Sequence, residues 1–182
     1  MSERDDSAAK PNVSDEARPG EAWIASASRT WRQQHARIMR AYQRATAAAD
    51  ATPQGEDNYY VFFIWCFQLK DWLKNDPAVP AATRTAAEHL VNTNDALKLC
   101  ADLANGIKHL RADRRARVDA DSQLDTEAAA FQPDVFESDA FQTEERIVVV
   151  AARGYMDARQ LADACVAAWA EFLRSHGLNV DS

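Results

Sequence analysis

The sequence predicts a mainly α fold, a bundle of four to five helices with a small β-hairpin before the C-terminal helix. Three observations carry this. Only 5 Gly and 6 Pro are spread through 182 residues, too few for the tight turns of an all-β domain. Apolar residues recur at spacings of three and four along most of the chain, the period of a helix with one buried face. The longest unbroken apolar run, 59–67, suits a helix enclosed by neighbours and falls far short of the roughly 20 residues that span a bilayer. These place a single helical domain over 21–177, between an acidic, Ser- and Pro-containing tail at 1–20 and a short tail at 178–182.

The first helix is expected from about Glu21 to Asp50, since nothing in that stretch breaks it. Trp23, Ala27, Trp31, Ile38, Tyr42 and Ala45 fall near one face, with Arg29, Arg32, Arg37, Arg40 and Arg44 around the rest. Pro53 and Gly55 read as the turn that follows. A second helix runs from about Asp57 to Asn75, acidic at its start and with Lys70 and Lys74 near its end, as the helix dipole favours. Its apolar run makes it the expected centre of the bundle. Pro80 suits the opening of a short helix to about Val91. Asn92, Thr93 or Asn94 can cap a fourth helix reaching about Leu110, with Ala96, Leu99, Cys100, Leu103, Ile107 and Leu110 as its apolar face. Residues 115–121 and 146–152, the latter containing Ile147-Val148-Val149-Val150, are the expected hairpin strands. Asp157 with Gln160 opens the last helix in the manner of a capping box, and His176-Gly177 ends it.

The charge is 21 basic against 28 acidic side chains, net −7, which disfavours a general binder of nucleic acid or anionic membrane. Its distribution weakens that veto. Residues 111–145 hold 4 basic and 10 acidic groups, whereas 21–110 hold 10 and 9. The acidity therefore describes one insertion between helices, and the helical body is nearly neutral. Phe131, Phe136 and Phe141 within that insertion either tack it down or form an acidic–aromatic ligand for a partner. Residues 1–20 hold no apolar run, so a leader is not expected and a soluble cytoplasmic protein is. Cys66, Cys100 and Cys165 show no metal-ligand spacing and sit in apolar helical patterns, which reads as free buried thiols in a reducing compartment. No metal site and no cofactor are expected.

Gly-rich phosphate loops, nucleophile elbows and HExxH motifs are absent from the sequence. One polar constellation remains. Asp102, Asn105 and His109 recur at helical spacing, with Lys108 and Arg111 beside them, and Asp71 and Asn75 share a face of the second helix. Either these are two solvated stripes, or they close a polar cleft in which His109 moves a proton. If the two helices run antiparallel, the ends carrying the two sets need not meet. Gly106 lowers helix propensity by roughly 1 kcal/mol relative to Ala, a cost usually tied to close approach of a backbone or ligand.

The segment Cys100-Ala101-Asp102-Leu103-Ala104-Asn105-Gly106-Ile107-Lys108-His109-Leu110 resembles the late-helix motif of HEPN-type helical proteins. In that motif an Arg is followed by a polar residue, often Asn, and by a His one turn further on. The resemblance implies a homodimer and, where the motif is complete, a metal-independent ribonuclease of toxin or phage-defence type. Asn105 matches the polar residue and His109 the His, but Ala104 stands where the Arg belongs. That departure removes the cation expected beside the scissile phosphate. The expected function is accordingly a non-catalytic, homodimeric binding or assembly module with a degenerate HEPN-like core. The alternative is a ribonuclease in which His109 is the acid/base, Asn105 orients the phosphate and Arg111 supplies the missing charge, with Asp71, Asn75, Asp102 and Lys108 lining the cleft. RNA or another protein is the partner class these readings imply. The four arginines within Arg111–Arg117 read either as a phosphate contact or as a solvated link offset by the acidic stretch after it.

Overall fold

The computed structural model describes residues 29–47, 52–109, 117–118, 122–128, 145–151 and 154–180. Trp23, Ala27, Leu110, Arg111, the three phenylalanines of the acidic insertion and the tail at 1–20 lie outside the described residues. The first described helix, α1, is Trp31–Ala47, and it does not run on unbroken from Glu21 as expected, since Arg29 and Thr30 are not helical. The reason lies in Thr30 and Gln33. The Gln33 N–H donates to Thr30 Oγ1 at 3.4 Å and the Thr30 N–H to Gln33 Oε1 at 3.4 Å, a reciprocal capping box that ends the chain's approach and begins the helix. The Trp31 N–H donates to Oδ2 of buried Asp76 at 3.0 Å, placing a carboxylate on the positive end of α1.

Helix α2, Pro53–Asn75, absorbs the residues read as a turn. Thr52 Oγ1 accepts the Gly55 N–H at 3.1 Å, and Pro53 occupies the first helical position, where its missing N–H would have no partner anyway. Tyr59, Phe62, Phe63, Cys66, Leu69 and Leu73 are buried, and Tyr60, Val61, Trp65 and Phe67 pack partly buried against the same core. With side chains engaged all round, α2 contacts every other helix. Each fully buried Phe or Leu there stabilises the fold by about 1.5–3 kcal/mol relative to exposure. Helices α3, Ala81–Thr93, and α4, Asp95–His109, meet at Asn94, whose Oδ1 accepts the Leu97 N–H at 3.1 Å. The buried face of α4 is wider than its pattern suggests: Cys100, Ala101, Asp102, Leu103 and Ala104 are all buried, while Ile107 is exposed.

Three antiparallel strands follow: β1, Gln123–Ala128, β2, Glu145–Ala151, and β3, Gly154–Asp157, in that spatial order. The partner of β2 is thus 123–128, with Leu124 opposite Val149, and not 115–121 as expected. A third strand extends the hairpin through Val149 opposite Met156. Helix α5, Ala158–Ser175, closes the bundle against α2, α4 and the sheet. Oδ1 of Asp157 accepts the N–H groups of Arg159 and Gln160 at 2.8 and 3.1 Å. At the other end the Leu178 N–H reaches the Leu173 carbonyl at 2.9 Å and the Gly177 N–H that of Arg174 at 3.2 Å. This is a Schellman stop, with Gly177 at a φ of 66°. No helix among the described residues is long and apolar enough to cross a membrane.

Candidate functional site

Among the described residues, Asp71 and Asn75 do not gather with Asp102 and Asn105, and the side chains of Lys108 and His109 lie outside what is described. Asp71 and Asn75 are exposed near the end of α2, where they border a shallow cavity of about 230 Å³ with Arg29, Trp72 and Asp76. Their polar groups are engaged locally: Lys70 Nζ lies 2.6 Å from Asp71 Oδ1, and Asn75 Nδ2 donates to the Asp71 carbonyl at 2.8 Å. Asn105 is half-buried near the end of α4, with Lys108 and His109 on its last turn. Arg111 lies outside the described residues. Helix α4 runs past α2 in the opposite sense. The Cys100 thiol donates to the Phe63 carbonyl at 3.3 Å, and further along α4 Gly106 lies beside the Ser122 carbonyl, close to where the Leu124 N–H meets the Tyr60 hydroxyl. Asp71 and Asn75 therefore sit at the opposite end from Asn105.

Asp102 is only 1 % exposed, which corrects its placement on a solvated stripe. The chain returns across α4 at 117–118, and the backbone replaces water around the carboxylate. Arg117 N–H lies 2.8 and 3.0 Å from its two oxygens, and the Val118 N–H 2.6 Å from Oδ2. The Arg117 side chain is held as well, with Nε donating to Asn92 Oδ1 at 3.0 Å and the guanidinium 5.3 Å from the Phe67 ring centre. Asp102 and Arg117 thus anchor the insertion to the bundle. A Cβ on Gly106 would meet only the Ser122 carbonyl, at 3.7 Å, an ordinary contact, so close approach does not require the glycine.

What the sequence did not reveal is the convergence of its three cysteines. Cys66 on α2, Cys100 on α4 and Cys165 on α5 are free and buried, as expected, but their sulfurs all lie within 4.8 Å of one another. The Cys165 thiol donates to the Ala96 carbonyl at 3.5 Å. Hydrogen bonding from Cys100, then from Cys165, pulls the Cys66 thiol down against its burial, whereas burial pushes Cys100 well up. The indole N–H of Trp169 also acts on the Cys66 sulfur as a donor and lowers it, although this buried Nε1–H has no partner at full hydrogen-bond geometry among the described residues. The signal available in the sequence was that each cysteine falls on the buried stripe of a helix packed in the same bundle. Spacing along the chain carries no trace of it.

The edge strand β3 exposes Tyr155 (66 %) and Met156 (44 %). Both line a cavity of about 410 Å³ with Val118, Leu99, Leu161, Lys98 and Arg117. Helix α1 has arginines at 32, 37, 40 and 44 and no acidic residue. The Arg37 guanidinium lies 5.3 Å from the Trp72 ring centre and that of Arg44 5.9 Å from Trp65. The chain matches no protein-family model, and neither curated proteins nor solved structures give a match.

Proposed function

We propose that the chain is a non-catalytic binding and assembly module of the cytoplasm, with a degenerate HEPN-like core, that works as a homodimer. The observation that supports this reading is the edge strand β3. Among the described residues its backbone is paired on one side only, and two large apolar side chains stand exposed beside a cavity lined mostly by apolar residues. An exposed edge of this kind invites another strand. A second copy of the same chain meets it about a two-fold axis, as in most homo-oligomers. Tyr155 and Met156 of each copy then pack against the cavity of the other. Of the alternative cleft, Asp71 and Asn75 stand apart from Asn105, and Asp102 is engaged by the amides of Arg117 and Val118, which supports assembly over catalysis.

Light scattering at tens of micromolar protein tests this. The mass of two chains is expected for the native sequence and the mass of one for Tyr155→Asp. A native chain that stays monomeric, or a dimer indifferent to that substitution, contradicts the reading.

A second reading, contact with RNA, is favoured by α1. Arginines interleaved with tryptophan faces and without neighbouring acids on their helix are the means by which single strands are bound, through phosphate neutralisation and base stacking. In its catalytic form His109 is the acid/base, Asn105 orients the phosphate and Arg111 supplies charge. Labelled RNA incubated with the protein in EDTA would be cut, and the cutting lost in His109→Ala. Intact RNA rejects the catalytic form.

A further inference from the structure

Every cysteine of the chain, 3 in 182 residues, arrives at one point in the core from a different helix. Their value as small hydrophobes explains why each is buried. It does not explain why the three sulfurs face one another, since alanine would fill such positions without placing polarisable donors together. A second observation points the same way. The buried Trp169 Nε1–H has no partner at full hydrogen-bond geometry among the described residues and acts as a donor toward the Cys66 sulfur, although buried indole N–H groups usually find a well-placed acceptor.

Three sulfurs bound to one ion at about 2.3 Å each stand roughly 3.4–4.0 Å apart, depending on whether the centre is pyramidal or planar. The sulfurs here lie within 4.8 Å, so modest side-chain rotation closes the site. Soft ligands select soft ions. Zinc in a structural site takes four ligands, and no further Cys, His, Asp or Glu among the described residues joins this cluster. Charge narrows the choice further. Binding removes three thiol protons. A monovalent ion then leaves two negative charges and a divalent ion one, in a place that is 0 % exposed at all three cysteines, where an uncompensated charge is strongly disfavoured. A trivalent ion leaves none.

We propose that Cys66, Cys100 and Cys165 form a buried tris-thiol site for a trivalent thiophilic ion of the arsenic(III) class. Arsenous acid reaches the site as a neutral molecule. Three As–O bonds break and three As–S bonds form. Each departing hydroxide takes one thiol proton and leaves as water, with no change of oxidation state. The Trp169 N–H faces the resulting sulfurs as a donor, and the product ties α2, α4 and α5 together. The site does not depend on the dimer, and its test is separate.

The experiment uses the reduced full chain incubated with sodium arsenite and examined by non-denaturing mass spectrometry. One arsenic per chain with the loss of three protons is expected, together with a rise in melting temperature and arsenic X-ray absorption showing three sulfur neighbours and no oxygen. Cys66→Ala, Cys100→Ala and Cys165→Ala should each weaken binding at least tenfold, with circular dichroism verifying that the variants fold. The proton count and the sulfur coordination of the native chain decide the matter even if a variant does not fold. Absence of an adduct, loss of only two protons, binding unchanged by the substitutions, or tighter binding of zinc(II) or copper(I) than of arsenite would overturn the proposal.

Discussion

Asp102 carries a carboxylate into the bundle, where the amides of Arg117 and Val118 stand in for water. Asp102→Asn keeps the shape but turns an NH₂ group toward amides that need an acceptor. The loss is expected to be about 2 kcal/mol, read as a lower urea midpoint with an unchanged slope. Helical phase alone had put Asp102 on the polar side, since the residues that cover it return from beyond the end of the helix. Tyr59 gives a pH signature. Burial first, then the charge of Asp157, raises its phenol from 10.0 to about 12. A raised acid holds its proton longer folded than unfolded, so its contribution to stability is complete below pH 10.0 and is lost as pH rises toward about 12. Denaturant midpoints should fall across that window, and Tyr59→Phe should flatten the fall. An equal decline in the variant would assign the alkaline sensitivity elsewhere. The cysteines show the limit of sequence reading at this scale: burial of each follows from its apolar stripe, whereas their meeting depends on the rotation of three helices about one another.

At the scale of elements, legibility follows the caps. The last helix starts at Asp157 and stops at Gly177 because both signals are local, a carboxylate over two free amides and a residue tolerant of positive φ. Asp157→Ala should therefore cost about 1 kcal/mol, measurable as a lower melting temperature, whereas substituting Glu171, exposed near the helix end in a solvated pair with Arg174, should change little. The start of α1 was equally local, in Thr30 and Gln33, but a continuous run of good helix formers before it masked the signal. β1 was not legible. Gln-Leu-Asp-Thr-Glu-Ala has little strand propensity, and it is a strand because pairing with β2 buries Leu124 beside Val149. Its partner β2 was evident from its β-branched run, which needs no such help.

For the whole molecule, the net charge of −7 hides a division of surfaces. Arginines stand along α1, and apolar residues line the edge at β3 and the cavity it shares with α4 and α5. The helical core was readable from periodicity. The surfaces proposed to bind were not, since exposure of Tyr155 and Met156 follows from β3 being the edge strand among the described residues, a property of the sheet and not of the residues. Self-association through that edge is the central claim, and amide hydrogen exchange of 154–157 as a function of protein concentration tests it most directly. Pairing between copies predicts slow exchange at high concentration that becomes fast on dilution, in the native chain but not in Tyr155→Asp. Exchange at 154–157 that is fast and independent of concentration would contradict it.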